Sequence, residues 1–267
     1  MNADAVVLAA LPGLAYAFVL VLCRVGAAVM LLPGLGEAGL PAFLRAGITI
    51  TLTLLLLPVV LKLMPPAPPG VIGVAAMAGA EIATGLWLGW LARLIVFALP
   101  MAGQVIGTMM GISSVLQPDA MLGGQASALS RFFALLAPVL LFASGLYALP
   151  ILALADSFTL IAPGALLPAA DATQGVVALG HAFALAIELA APFLLVGTVW
   201  QVGLGLVGRL VPQLQVYFVA MPAQLLGGLA LLAGLGVTLA SLWLAAAQAG
   251  FAHLPGRLSG DGRGRGR

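Results

Sequence analysis

Unbroken apolar runs decide what this chain can fold into. Val6–Leu32, Ala42–Leu63, Val71–Leu99 and Val176–Leu206 are each long enough to cross a hydrocarbon core of about 30 Å as a helix rising about 1.5 Å per residue. A further run, Leu214–Ala249, holds 36 residues, well beyond the roughly 20 that one span needs. Charged residues make up 7% of the chain, whereas a soluble domain carries about 25%. There is too little polar surface to shield this much apolar surface in water. The expected fold is all-α: a polytopic membrane protein of bent helical hairpins with about five to six hydrophobic spans.

The residues between the runs read as punctuation. Pro33–Pro41 is a turn carrying Glu37, and Arg45 follows just inside the second run. Pro58 is placed to kink that run. MPPAPPG, Met64–Gly70, is a rigid proline linker. The third run carries Glu81 and Arg93 and ends at Pro100. Within it Gly85 and Gly89 form a GxxxG pair, a spacing that lets two helix backbones approach closely in a membrane protein.

A semi-polar stretch, Gly103–Arg131, interrupts the apolar chain near its middle. Gly103, Gly107 and Gly111 are spaced by four, so a helix there has a bare glycine face. Gln117-Pro118-Asp119 and Gly123-Gly124 break it. Ser127 or Ser130 caps the next helix, read as Arg131–Leu149. Residues 150–174 read as an external loop with a short helix. After the run bearing His181, Glu188 and Pro192 comes a polar knot of Gly208, Arg209, Pro212 and Gln213. In the last run Pro222, Gly227-Gly228 and Gly234/Gly236 offer places to fold a hairpin. Residues 1–255 thus read as one membrane domain and 256–267 as a disordered, basic, cytoplasmic tail.

Lys and Arg favour the cytoplasmic side. With the tail inside and the last run a hairpin, the Arg209 turn, the central stretch and the Glu37 turn fall inside, and the N-terminus falls outside. Only Lys62 is then misplaced. A single last span reverses the earlier loops and puts Arg24, Arg45, Arg93, Arg131 and Arg209 outside. The N-terminal flank carries Asp4 and no Lys or Arg, so the first run reads as a retained span and not as a signal peptide.

Few residues offer chemistry. Cys23 stands alone in an apolar run with no metal-ligand pattern and reads as a small buried hydrophobe. The net charge of +2 and singly scattered basic residues give no nucleic-acid groove. HExxH, Walker and nucleophile-elbow motifs are missing, so no enzyme, catalytic residue, metal or cofactor is expected. A charge in mid-span costs about 2.5–3.5 kcal/mol, so Glu81, Arg93, Glu188 and Arg209 need partners. Arg131 and Gln213 join them as polar contacts between helices or between subunits. Glu81 and Arg93 lie about 18 Å apart along one helix and cannot pair with each other. The plain reading of these groups is polar glue; the other is an ion or proton path. His181 and Glu188 share a helix face, again as an interface pair or a relay. Met101, Met109, Met110 and Met121 cluster at the central stretch, as core filling or as a deformable seal.

Three blocks carry a family resemblance. LPGLGEAGLPAFLRAG at 32–47, GQVIGTMMGISSVLQPDAMLGGQ at 103–125 and APFLLVGTVWQVGLGLVGRLVPQLQVYFVAMPAQLLGGL at 191–229 resemble the FliR family of flagellar biosynthetic proteins and its virulence counterparts, the SctT export-gate proteins. The order and spacing match over about 250 residues. Gln201 stands where many members carry Asn, and it keeps the amide.

The resemblance implies an inner-membrane subunit at the flagellar basal body. With FliP-like and FliQ-like partners it completes a multi-subunit helical pore for unfolded flagellar proteins, associated with FlhA-like and FlhB-like proteins and with membrane lipid. It also implies that a central loop helps plug the closed pore. Here that loop covers Gly103–Gln125, including Gln104, Gly107, Met109, Met110, Gly111, Asp119, Met121, Gly123 and Gly124. A virulence-type subunit is the near alternative. A proton-coupled secondary transporter using Glu81, Glu188 and His181 is the remoter one.

Overall fold

The computed structural model describes residues 3–37, 39–111, 127–166, 169–210 and 216–255. Among them are seven α-helices: α1 (Ala3–Leu31), α2 (Ala42–Val60), α3 (Val71–Met109), α4 (Ala128–Ser144), α5 (Ala148–Leu160), α6 (Ala169–Leu210) and α7 (Val216–Ala252). A 3₁₀ turn, Leu61–Leu63, continues α2. Five stretches are long and apolar enough to cross a membrane: Leu11–Leu31, Ala42–Leu63, Val71–Met109, Thr173–Leu210 and Ala220–Ala252. The α4–α5 pair, bent by 76°, makes a sixth if it counts as one span. The all-α membrane fold with five to six spans is therefore what the chain adopts. Helices suit it because hydrocarbon offers no partner for a backbone N–H or C=O, and a helix satisfies both internally.

The chain divides into two compact units. One comprises Met1–Leu94, Ser144–Ala178 and Ala249–Arg267, the other Ile95–Ala143 and Leu179–Gln248. In the first, Leu20, Val21, Val25 and Ala28 of α1 are fully buried. The GxxxG pair of α3 lies directly against α1. A Cβ added at Gly85 would fall onto the Arg24 carbonyl oxygen, and one at Gly89 would stand 2.8 Å from the Ala28 carbonyl oxygen. Gly85→Ala is therefore expected to lower stability by about 1–3 kcal/mol, as overpacking does elsewhere. Thermal unfolding in detergent checks this, and an unshifted transition would remove the close-approach account.

In the second unit α4 buries one stripe, Leu129, Phe133, Ala137 and Leu141, spaced by four as a helix face requires. Ser127 caps this helix: its hydroxyl accepts the Ser130 N–H at 3.1 Å, the first-turn donor that a serine N-cap ordinarily takes. The helix thus starts at Ala128, three residues before the expected Arg131.

Three readings of the sequence are corrected. Pro100 does not end the third run, because α3 continues through it to Met109. Proline removes one backbone donor, a loss that helices in a packed membrane protein tolerate. The segment read as an external loop with a short helix holds more helix than that, occupied by α5 and the start of α6. The last run is a single 37-residue helix with Pro222 inside it, not a hairpin. A turn in mid-membrane would leave several backbone groups unpaired, which outweighs the roughly 1 kcal/mol that each glycine costs a helix. The orientation counted back from a hairpin in the last run therefore loses that premise. The expected tail, 256–267, lies outside the described residues.

Candidate functional site

The first unit contains a buried ion pair. Arg24 of α1 and Glu81 of α3 are both fully buried. Arg24 Nε donates to Glu81 Oε2 at 2.6 Å and Nη2 donates to Oε1 at 2.9 Å, the two-pronged geometry that suits a guanidinium and a carboxylate. The remaining donors reach the end of α5: Nη1 bonds the Ser157 carbonyl at 3.1 Å and its hydroxyl at 3.3 Å, and Nη2 bonds the Ile161 carbonyl at 3.1 Å. These five bonds match the five N–H groups that a guanidinium carries. The Phe158 ring lies 4.2 Å from the guanidinium carbon, close enough for a cation–π contact. Glu81 Oε1 also accepts the Gly164 N–H at 2.6 Å. Gly164 sits at φ +79° in the turn after α5, a left-handed conformation that glycine adopts without strain. One charge pair thus joins two spans and fixes the turn leading to α6.

The second unit holds both edges of the central stretch. On the exit side, the Ser127 N–H donates to Gln104 Oε1 at 2.7 Å and the Ser127 hydroxyl donates to the Gly103 carbonyl at 3.3 Å. The Ser130 hydroxyl donates to the Pro100 carbonyl at 2.8 Å. The bare glycine face makes this approach possible. A Cβ at Gly107 would stand 2.8 Å from the Ser127 hydroxyl, and one at Gly103 would stand 2.7 Å from the Phe133 ring.

On the entry side, α3 ends at Met109 and the chain turns at Gly111, φ +73°. The Met109 carbonyl belongs to the last turn of α3, where helix carbonyls lack intrahelical donors. Gln224 of α7 supplies one, its Nε2 donating at 2.8 Å. Met110 is buried. A Cβ at Gly228 would lie 2.6 Å from its Cγ, and one at Gly197 would lie 3.1 Å from the Met109 Cβ.

The structure sorts the sequence candidates. Glu81 is an inter-helix contact within the chain. Gln104, Gly107, Met109, Met110 and Gly111 gather at the two edges just described. Arg93 is half-buried, while Arg131, His181, Glu188 and Arg209 are exposed. Asp119, Met121, Gly123, Gly124 and Gln213 lie outside the described residues. Among the described residues no group of three His, Cys, Asp or Glu side chains converges as a metal site would require.

Two residues were missed, Arg24 and Gln224. For Arg24 the signal was present: a cation inside an apolar run answers a lone acid inside another. For Gln224 the only hint was an amide in the apolar run around MPAQLLGG.

The profile of the family described as bacterial export proteins, family 1, matches residues 15–249 and so spans both sites. The chain belongs to this family. Two relatives of this export protein illustrate the likeness. The flagellar biosynthetic protein FliR of Caulobacter vibrioides is 33% identical over 219 residues, which is 82% of this chain and 87% of that protein. The FliR of Bacillus subtilis is 26% identical over 213 residues, 78% of this chain and 82% of that protein. This family 1 export protein is a membrane component of the flagellar export apparatus.

Proposed function

We propose that the chain is the FliR-type subunit of an inner-membrane flagellar export gate. It completes a pore with FliP-like and FliQ-like partners, next to FlhA-like and FlhB-like proteins, and unfolded flagellar proteins pass through. The stretch from Gly103 to Gln125 seals the resting pore. The chain acts by assembly and sealing, without a catalytic step.

The observation that carries the sealing role is the anchoring of the central stretch at both edges. It leaves α3 at Gly111, and the chain returns to α3 at Ser127, which bonds Gly103 and Gln104. A plug needs such fixed edges. The need for partners is supported by the outward charge of Glu188, well inside the 38-residue apolar stretch Thr173–Leu210. Facing lipid, it would cost about 2.5–3.5 kcal/mol; a subunit with a complementary polar group removes that cost. The flagellar relatives favour a flagellar gate over a virulence one. The transporter reading is not favoured, because Glu81 is fully committed to Arg24 and Gly164.

Affinity purification of the tagged full chain from cells tests the assembly. FliP-like and FliQ-like proteins are expected in the eluate. Recovery of the chain alone, in a stable and active form, would overturn the reading.

A further inference from the structure

We propose that Gly197, Gly228 and Gln224 form a seat that holds Met109–Met110 in the resting gate, and that export requires Met110 to leave it. This rests on the sealing role given above.

The contacts have different chemistries and converge on the same turn. Gly197 on α6 and Gly228 on α7 are bare where the methionines arrive, and a Cβ at either would press on a thioether side chain. Gln224, one helical turn before Gly228, binds the Met109 carbonyl and so fixes the backbone as well as the side chains. All lie within one compact unit. The exit side is anchored separately, by three hydrogen bonds from Ser127 and Ser130 to α3.

The seat also has room beside it. A half-open pocket of about 90 Å³ borders Met109, Met110, Trp200, Gln224 and Leu231. Interiors are normally close-packed, and a side chain that moves must displace a neighbour. Here an unbranched, polarizable methionine can change rotamer into existing space, so Met110 can leave Gly228 without parting α6 from α7.

The test is a reversible lock in the assembled gate. Met110→Cys with Gly228→Cys, in a Cys23→Ala background, is suited to crosslinking. A Cβ at Gly228 would stand 2.9 Å from the residue 110 Cβ, and a small relaxation reaches the roughly 3.5–4.5 Å of a disulfide. Oxidation of cells carrying this pair is expected to form the disulfide, seen as a mobility shift without reductant, and to abolish export of flagellar proteins. Dithiothreitol is expected to restore export, which a folding defect would not allow. A disulfide that forms while export continues overturns the release step, and it leaves the sealing role to be judged by ion leak after removal of the central stretch. Failure of the disulfide to form shows that Met110 does not sit at Gly228 in the gate and overturns the seat. Gln224→Leu, of similar bulk but without the amide, is expected to raise resting ion leak. Leak equal to that of the native gate removes Gln224 from the seat.

Discussion

Glu81→Ala is expected to destabilise the chain by about 3–5 kcal/mol, the loss that follows when one partner is stripped from a buried ion pair. Arg24 cannot escape by releasing its proton, because a guanidinium stays charged in proteins. It is fully buried, out of reach of bulk solvent that could replace the two bonds it gave to Glu81. The Gly164 N–H loses its acceptor as well. Glu81→Gln should lose less than Glu81→Ala but remain destabilised, since its carbonyl can still accept from Arg24 Nη2 and Gly164 while its NH2 faces the Arg24 Nε donor and the counter-charge is gone. Arg24→Met paired with Glu81→Leu is expected to cost far less than the two single changes summed. Some loss remains, because the Gly164 N–H and the Ile161 carbonyl are left without their partners. Unfolding midpoints of the four proteins in one detergent give the coupling. Additive losses would show that the pair is not acting as a unit.

The second large effect is expected on permeability. Replacing residues 112–126 by a short glycine linker should let ions leak through an assembled gate while leaving assembly intact. The replacement keeps Gly111 and Ser127, so the bonds of Ser127 to Gly103 and Gln104, and the contacts of Met109 and Met110 with Gly197 and Gly228, are retained. A deletion reaching back to Gly107 would remove part of those anchors and confuse a lost plug with a lost scaffold. Leak can be read as growth arrest or as dye and proton entry in cells that make the whole gate. A tight gate after the replacement would sink the sealing role.

The helices were legible because apolar run length is a direct physical requirement of spanning. The close pair Gly85/Gly89 and the face of Gly103 and Gly107 were legible for a related reason: only glycine lets a neighbouring helix come so near, so its spacing records the contact. Breaks were harder. Pro100 and the glycines around Pro222 look like stops on propensity scales that describe helices in water. Inside an apolar environment an open backbone costs more than a poor helix former, and both helices run on. Partners were harder still. Glu81 shows that it needs a cation, but nothing in its neighbourhood names Arg24, 57 residues earlier. Gln224 binds a backbone carbonyl 115 residues away, and a carbonyl leaves no residue signature to match.

The distance between Arg24 and Glu81 along the chain also sets an order of events during synthesis. A ribosome adding about 5–20 residues each second makes Arg24 about 3–11 s before Glu81 exists, and Ser157 and Ile161 come later again. Until then α1 holds a bare guanidinium, which costs about 2.5–3.5 kcal/mol at the middle of a membrane helix. The apolar residues of the span can offset that cost, so it can insert when it is made, but it reaches its final packing only when the third span delivers the counter-ion, and the N-terminal helix of this chain is among the last to be finished.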